Sequence, residues 1–595
     1  MASLYTVHAS DGLPVLANPI TGDLFVGNAP GLDVLLCLPQ GMAGVGFLLT
    51  SDVDLRLRVQ ADLVGSPILP VRLQVECGFG LAAVLHPFTG LYMSASAPAL
   101  DEDHSAVTIR SHGRSVAEAF ALTACPELPP QLTETLAQLD ILAALPLTGP
   151  AILQLLEAGV PPKAGQAFDA YARLLQLDQA EWLAAALLRS GTAVANLALA
   201  LPHDPFAADT LPGLLRWVGP RHAAARLELA WAQDDLALTG IHGAYSSAPH
   251  HWNALARRTV APQGTLAVLA TARNEGLYLV EWLAHHRTLG IERFFVYSND
   301  NTDGSDALLH ALAEAGAITR VDNQVAPRGT AQFQAYGHAL GALPQILDSR
   351  WTLILDLDEF LCLDRSRFAS LRDYMAWQEA RPVDAVAFNW VVFGSSGETE
   401  WRDAPVTQRF VHRLPWTDHH IKTMVRTGQA MHARPHHPVF DPRQAVVTRN
   451  ASGDVHEHKE EASWSMHPEE GNAWINHYML KSAEEFIWKA SRNRGDQPMM
   501  EMAEPTEMNI MFADLFLNQH TSPTMQRDCR IQADAGALAS ETGRLMLLPG
   551  VSQAMQQVKS IREQQAVRLR GMILNAPIFQ QAGTLQNRLG KLVGA

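Results

Sequence analysis

The sequence predicts an α/β protein: a doubly wound, mostly parallel sheet, preceded by a β-rich domain and a helical domain and followed by helices. Three observations carry this. Apolar and polar residues alternate in the first 115 residues, residues 116–260 are Ala/Leu-rich with Pro-Pro and Gly-Pro breaks, and from 261 short apolar runs alternate with helical segments. The 595 residues thus divide into 1–115 (a sandwich or barrel), 116–260 (helical), 261–500 (the parallel sheet) and 501–595 (helical).

In the first domain Leu55, Leu57, Val59, Ala61 and Leu63 alternate with Arg56, Arg58, Gln60 and Asp62. Val71, Leu73, Val75 and Cys77 alternate with Arg72, Gln74 and Glu76, and Val107 and Ile109 flank Thr108. A period of two with one wet face marks antiparallel strands. Glycan binding and simple packing both remain open for this module. In the second domain, segments such as Phe168 to Leu188 place apolar residues three and four apart. No fixed repeat emerges, so a spacer or interaction role is expected.

The third domain opens with the strand Leu266 to Ala270. Asn274 is expected to cap the following helix, with Glu275 in its first turn. Tyr278, Trp282, His286 and Leu289 share a face of that helix, and Gly290 stops it. Phe294 to Tyr297 forms a second strand and Ser298 to Gly304 a turn, after which Ser305 is expected to cap a helix ending at Gly316. Ile318 to Val321 is a third strand, Thr330 to Leu347 a helical stretch, and Thr352 to Asp356 a fourth strand. In such sheets ligands collect beyond the strands' C-terminal ends. That rule singles out 271–275, 298–304 and 356–360.

The sharpest of these is Asp356-Leu-Asp358-Glu359-Phe360. Carboxylates two apart at a strand end suit a hard cation, Mg²⁺ or Mn²⁺, shared with substrate phosphates. At 271–275 a helix N-terminus and Arg273 offer a place for a nucleotide. Asp300 is placed to accept hydrogen bonds from a base or ribose, or simply to close an Asx turn.

Lys plus Arg is 45 and Asp plus Glu 61, a net charge of −16, so a nucleic-acid-gripping protein is not expected. No Lys or Arg precedes Arg56, and the most apolar stretch, Trp182 to Leu201, is broken by Arg189. Five scattered cysteines without a CxxC pair argue against a disulfide framework. A cytoplasmic protein is expected. From 551 onward six cations, Lys559, Arg562, Arg568, Arg570, Arg588 and Lys591, face one acid, Glu563. Two readings fit: peripheral contact with an anionic inner membrane face, or a docked helix with a solvated basic side.

The combination Arg273-Asn-Glu-Gly to His286, Leu289-Gly-Ile291, the Asn-Asp-Asn-Thr-Asp-Gly turn and Asp-Leu-Asp-Glu-Phe-Leu361 resembles the family-2-like glycosyltransferases, especially family 92. The likeness runs on through Phe388-Asn-Trp390, Phe393 to Gly397, Arg409-Phe410, Ile421-Lys422, Ile475 to Tyr478 and Lys481 to Phe486, covering about 265–495. Arg273 stands where many relatives carry Lys.

This resemblance implies a GT-A fold and a metal-dependent, hexosyltransferase-like enzyme. The donor would be a nucleotide sugar, a UDP-sugar by likeness, and the acceptor a glycan, glycolipid or glycoprotein. It implies that Thr271, Arg273, Asn274, Glu275 and Asp300 line the nucleoside and that Gln332 walls the donor site. Asp356, Asp358 and His477 would hold the metal, while Lys422 and Lys481 add positive charge at the phosphates. With inversion, one carboxylate must take the acceptor's proton. Glu398 in Gly397-Glu-Thr-Glu400 is the first candidate beside Asp358, with Asp418 and Glu460 as rivals. Ten histidines fall between His412 and His477. Spacings such as His456-x-His458 lack a matched pair, so an acceptor region is the expected reading ahead of zinc. Two other functions stay open: a non-catalytic glycan-binding scaffold, and a metal-dependent phosphoryl-transfer enzyme.

Overall fold

The computed structural model describes residues 2–59, 66–75, 81–85, 92–95, 104–110, 118–125, 127–219, 246–325, 330–441, 443–490, 513–520, 522, 524–575, 580–581 and 583–594. The protein is a mixed α/β molecule. In the N-terminal module the strands Leu81–Leu85, Ala119–Ala124, Ser3–Ala9, Leu35–Leu38, Val45–Leu49 and Leu69–Val75 pair antiparallel in that order. Pairing of the last strand with the first closes them into a ring. The strand expected from Leu55 to Leu63 is reduced, among described residues, to two isolated bridges, Leu57 with Ser66 and Arg58 with Asp23, and 60–65 lie outside the described residues.

Among described residues, nine strands of the third region form the sheet that positions the site, eight along its main path and Thr448–Arg449 paired beside Ala385–Val392. The eight are β1 (Gly264–Ala272), β2 (Arg293–Ser298), β3 (Thr319–Asp322), β4 (Ser349–Ile354), β5 (Glu359–Leu363), β6 (Ala385–Val392), β7 (Ile421–Arg426) and β8 (Ala473–His477). Their spatial order is β3-β2-β1-β4-β7-β6-β8-β5. β1 to β4 run parallel, with Leu269 beside Phe295 and Ile354, whereas β7 is antiparallel to both β4 and β6. The helices between them are α1 (Gly276–Thr288), α2 (Ser305–Glu314), α3 (Ala331–Gly341) and α4 (Leu371–Glu379). Beyond the sheet lie α5 (Ala483–Ala490), α6 (Ala535–Met546) and α7 (Val551–Asn575).

β1 is apolar on both faces because each is covered. Ala267 and Leu269 join a core containing α3 and the helices 133–258. Leu266, Val268 and Ala270 join another core containing α1, α2, α6 and the start of α7. Among described residues no single helix is long and apolar enough to cross a membrane; Leu177–Leu187 and Gly191–Ala200 qualify only as a pair bent by 109°.

The expected caps are corrected. Asn274 does not cap α1 and Ser305 is not the N-cap of α2. Asp303, buried between the two helix starts, serves both: one oxygen accepts from Gly276 N at 3.0 Å, the other from Ser305 N at 2.9 Å. Ser305 Oγ donates to that second oxygen as well. A carboxylate with two acceptor oxygens does what a hydroxyl cannot, and it favours both helix dipoles. Asp303→Ala should therefore cost about 1–4 kcal/mol, two caps at roughly 0.5–2 each, read as a lower urea midpoint. An unchanged midpoint would contradict this role.

Candidate active site

β4 ends at Ile354, and the next residues turn back into β5. The turn is closed by Glu359 N to Asp356 O at 3.2 Å and by Asp356 N to Glu359 Oε2 at 2.9 Å. α1 holds it from below: Trp282 Nε1 donates to Glu359 O at 2.9 Å, His285 Nε2 meets Leu361 O at 2.7 Å, and Leu361 N donates to His286 Nε2 at 3.2 Å. The helix face read from the sequence thus fixes the acidic loop through its backbone.

The two aspartates have different partners. Asp356 Oδ1 accepts from Gln332 Nε2 and Oδ2 from Lys422 Nζ, each at 2.9 Å. Lys422 is fully buried on β7, lies 3.4 Å from Glu359 Oε2 and also donates to Pro435 O. Burial works against its charge, but Asp356 and Glu359 outweigh it and hold the ammonium above the usual lysine range. Burial pushes the Glu359 carboxyl well up, against the pull of Lys422. Glu359 Oε1 is buried without a hydrogen bond.

Asp358 Oδ2 is ion-paired with Lys489 of α5, and His477 Nε2 lies 3.7 Å away at the end of β8. Burial would raise this carboxyl, yet Lys489, His477 and Lys481 hold it well below the ordinary range. Burial lowers His477, opposed by Asp358. Lys481 is buried with its ammonium 4.3 Å from the centre of the Tyr278 ring. Burial lowers its pKa, opposed by Asp358, Glu275 and Glu485, so Lys481 links the first loop to the acidic loop electrostatically.

Backbone strain falls on the same edge. Among described residues only Asn274, Asp300, Ser396 and Lys481 combine a side chain with left-handed φ, at 55°, 46°, 51° and 58°. Three of these are nucleotide-site candidates, and such strain collects where function over-determines the backbone. Asn274 binds the two loops together: its Oδ1 accepts from Thr302 N at 2.7 Å and its N donates to Asn301 Oδ1 at 2.8 Å. Asp300 is exposed and accepts from Asn299. Thr271 lies on β1 opposite Tyr297, and Arg273 and Glu275 flank Asn274 in the loop that follows.

Glu398 is held by two arginines. One of its oxygens accepts from Arg402 Nε at 2.9 Å, the other from Arg409 Nε at 2.8 Å, and Arg409 also grips Glu485 at 2.7 Å. Asp418 lies elsewhere: Oδ1 accepts from His420 Nδ1 at 2.6 Å and His420 N at 2.9 Å. The His420 ring stacks on Trp390 at 4.7 Å, and Trp390 meets His477 at 4.2 Å. Glu460 is exposed.

α7 packs over the loop ends. A Cβ added at Gly276 would stand 2.9 Å from Val558, and at Gly304 (φ 84°) 2.9 Å from Ile561. Several of its cations meet acids of the sheet domain: Lys559 with Asp403, Arg562 with Glu484, Arg570 with Glu400.

Among described residues no three His, Cys, Asp or Glu side chains form a ready-made metal cage. Asp358 and His477 nonetheless suit a cation completed by substrate. Their 3.7 Å separation is too long for a hydrogen bond, and a carboxylate beside an imidazole is a donor set such an ion accepts. Mg²⁺-like ions use one or two carboxylates and fill the remaining positions with water and phosphate oxygens. Lys489, about a third exposed at the end of α5, is the solvent-facing partner of Asp358. Lys489 is not among the residues the sequence singles out. Its signal was that four of only seven lysines fall between 422 and 489.

Residues 269–508 match the family model described as Glycosyltransferase family 92. Curated relatives include a family 92 protein of Oryza sativa subsp. japonica, 26% identical over 163 residues (27% of this chain and 27% of the relative). One of Ricinus communis is 31% identical over 98 residues (16% and 17%), and one of Arabidopsis thaliana 22% over 280 residues (42% and 44%). The chain thus spans less than half the length of these relatives. A crystal structure of S. aureus TarS 1-349 aligns with 50% of this chain and 90% of its own, at 10% identity and a TM-score of 0.20, a likeness too slight to carry an argument.

Proposed function

We propose, from the premise that residues 269–508 form a glycosyltransferase family 92 domain, that this chain moves a sugar from a nucleotide-sugar donor to a carbohydrate-containing acceptor. The observation that carries the reading is the convergence at one sheet edge of Asp356, Asp358 and His477, three partly or wholly buried lysines, and two strained loops that Asn274 ties together. A cationic floor under a pair of carboxylates is what a departing diphosphate requires. The strand order β3-β2-β1-β4, covered on both faces, supports a GT-A-type doubly wound sheet; domains at 1–115, 116–260 and 261–500 and a helical region from 501 belong to the same proposal.

In this reading Thr271, Arg273, Asn274, Glu275 and Asp300 receive the nucleoside of a UDP-sugar, and Gln332 orients Asp356. Lys481 and Lys489 meet the diphosphate, while Lys422 holds Asp356 in place. Mn²⁺ or Mg²⁺, held by Asp358 and His477 beside Asp356, would neutralise the charge that grows on the leaving group. Hexosyl transfer with inversion in the cytoplasm completes the proposal. Membrane contact would rest on Arg568, Arg588 and Lys591, which are exposed on the tail.

The test is a panel of nucleoside-diphosphate hexoses with oligosaccharide acceptors, reading diphosphate release and product mass with Mn²⁺ or EDTA. Acceptor-dependent UDP release that stops in EDTA is expected. Release of inorganic phosphate instead would establish phosphoryl transfer, and absence of any turnover or UDP binding would leave only a scaffold.

A further inference from the structure

We propose that His420, oriented by Asp418, accepts the proton of the acceptor hydroxyl. The proposal rests on the transfer reading above and goes beyond it by naming the base. The three carboxylates nominated from the sequence differ in what already holds them. Glu398 has both oxygens on guanidinium groups, which leaves little room for an incoming hydroxyl. Glu460 is an exposed loop residue. Asp418 is fixed on an imidazole.

A carboxylate only accepts hydrogen bonds, so His420 Nδ1 must donate to Asp418 Oδ1 at 2.6 Å. The neutral ring then carries its lone pair on Nε2, the arrangement of a base held in one tautomer by an acid behind it. The pair is rigidly mounted. Asp418 N donates to Trp390 O at 2.8 Å, Trp390 N to His420 O at 3.0 Å, and Asn389 Nδ2 to Asp418 O at 3.0 Å. The His420 side chain is 36% exposed, so a hydroxyl can reach it.

The location fits as well. His420 lies flat on Trp390 at 4.7 Å with an 18° tilt, and Trp390 abuts His477, the neighbour of Asp358. His436 at 5.5 Å and Trp464 at 5.6 Å complete the wall around the imidazole. Apolar ring faces beside a polar base are what a sugar ring needs, one face stacked and its hydroxyls bonded.

The step balances. The acceptor oxygen forms a bond to the anomeric carbon as its proton passes to His420 Nε2. The bond from that carbon to the phosphate oxygen breaks, and its electron pair leaves with the nucleoside diphosphate. The imidazolium then returns its proton to solvent.

The experiment uses the full chain with Mn²⁺, calorimetric titration with UDP, and initial rates with a UDP-hexose and an oligosaccharide acceptor. His420→Gln should leave UDP affinity unchanged and lower kcat by about 10²–10⁴-fold. His420→Ala should regain rate when imidazole is added, and Asp418→Asn should fall between His420→Gln and the native chain. Native kcat in both His420 variants, with UDP still bound, would overturn the assignment. A loss in Glu398→Gln instead would move the base to Glu398. If the native chain neither binds UDP nor turns over, the transfer reading fails, and this assignment with it.

Discussion

Asp356→Asn together with Asp358→Asn should abolish the sugar transfer proposed above while the chain still folds. Both side chains sit in a turn whose backbone is held by Trp282, His285 and His286, so the amides keep the loop's path. What disappears is charge. Lys489 and His477 beside Asp358 hold its carboxyl well below the ordinary range against the effect of burial. Asp356 completes the pair through Lys422 and Gln332. Removing electrostatic support for a developing diphosphate costs about 10²–10³-fold in kcat for one lost donor, and losing a cation's two carboxylates should exceed that. Transfer within tenfold of native in the double variant would contradict the site.

Lys422→Met strikes stability. Its ammonium, without exposed surface, stands between Asp356 and Glu359 at 2.9 and 3.4 Å. Breaking a buried pair by removing one partner leaves an uncompensated charge and costs about 3–5 kcal/mol. The loss should depend on pH with a definite sign. Burial already pushes Glu359 up, and without Lys422 its folded pKa rises further above the unfolded value. The folded state then binds more protons than the unfolded, so stability falls as pH rises and the defect is smaller at pH 5 than at pH 8. Adding Glu359→Gln to Lys422→Met should recover part of the loss and flatten that slope. Urea midpoints at the two pH values read both effects, and equal losses would show that Glu359 is not the strained partner.

Much of the sheet edge was legible because strand ends and acid spacing are local properties. The strands carrying Thr271, Ser298 and Asp356 follow from short apolar runs bounded by turn residues. The face Tyr278, Trp282 and His286 follows from helical spacing. The caps were not legible. Asp303 serves two helices whose starts are 29 residues apart in sequence (276 and 305), and only the pairing of β1 with β2 brings those starts together. Lys489 and His420 were equally hidden. Each reaches the site through contacts spanning scores of residues, Lys489 on Asp358 and His420 through Trp390 to His477. Glu398 drew attention as a carboxylate in a Gly-containing loop, but its two arginines lie 4 and 11 residues on and become visible only when the loop folds back. The tail's positive charge likewise looked solvated until α7 set Lys559, Arg562 and Arg570 against acids of the sheet domain.

The most direct measurement is calorimetric titration of UDP into the chain, with Mn²⁺ and then with EDTA, in the native protein and in Asp358→Asn. A cation clamped between Asp358 and the diphosphate predicts binding that needs Mn²⁺ in the native chain and is lost in the variant. Equal UDP affinity in EDTA, or native affinity in Asp358→Asn, would contradict it.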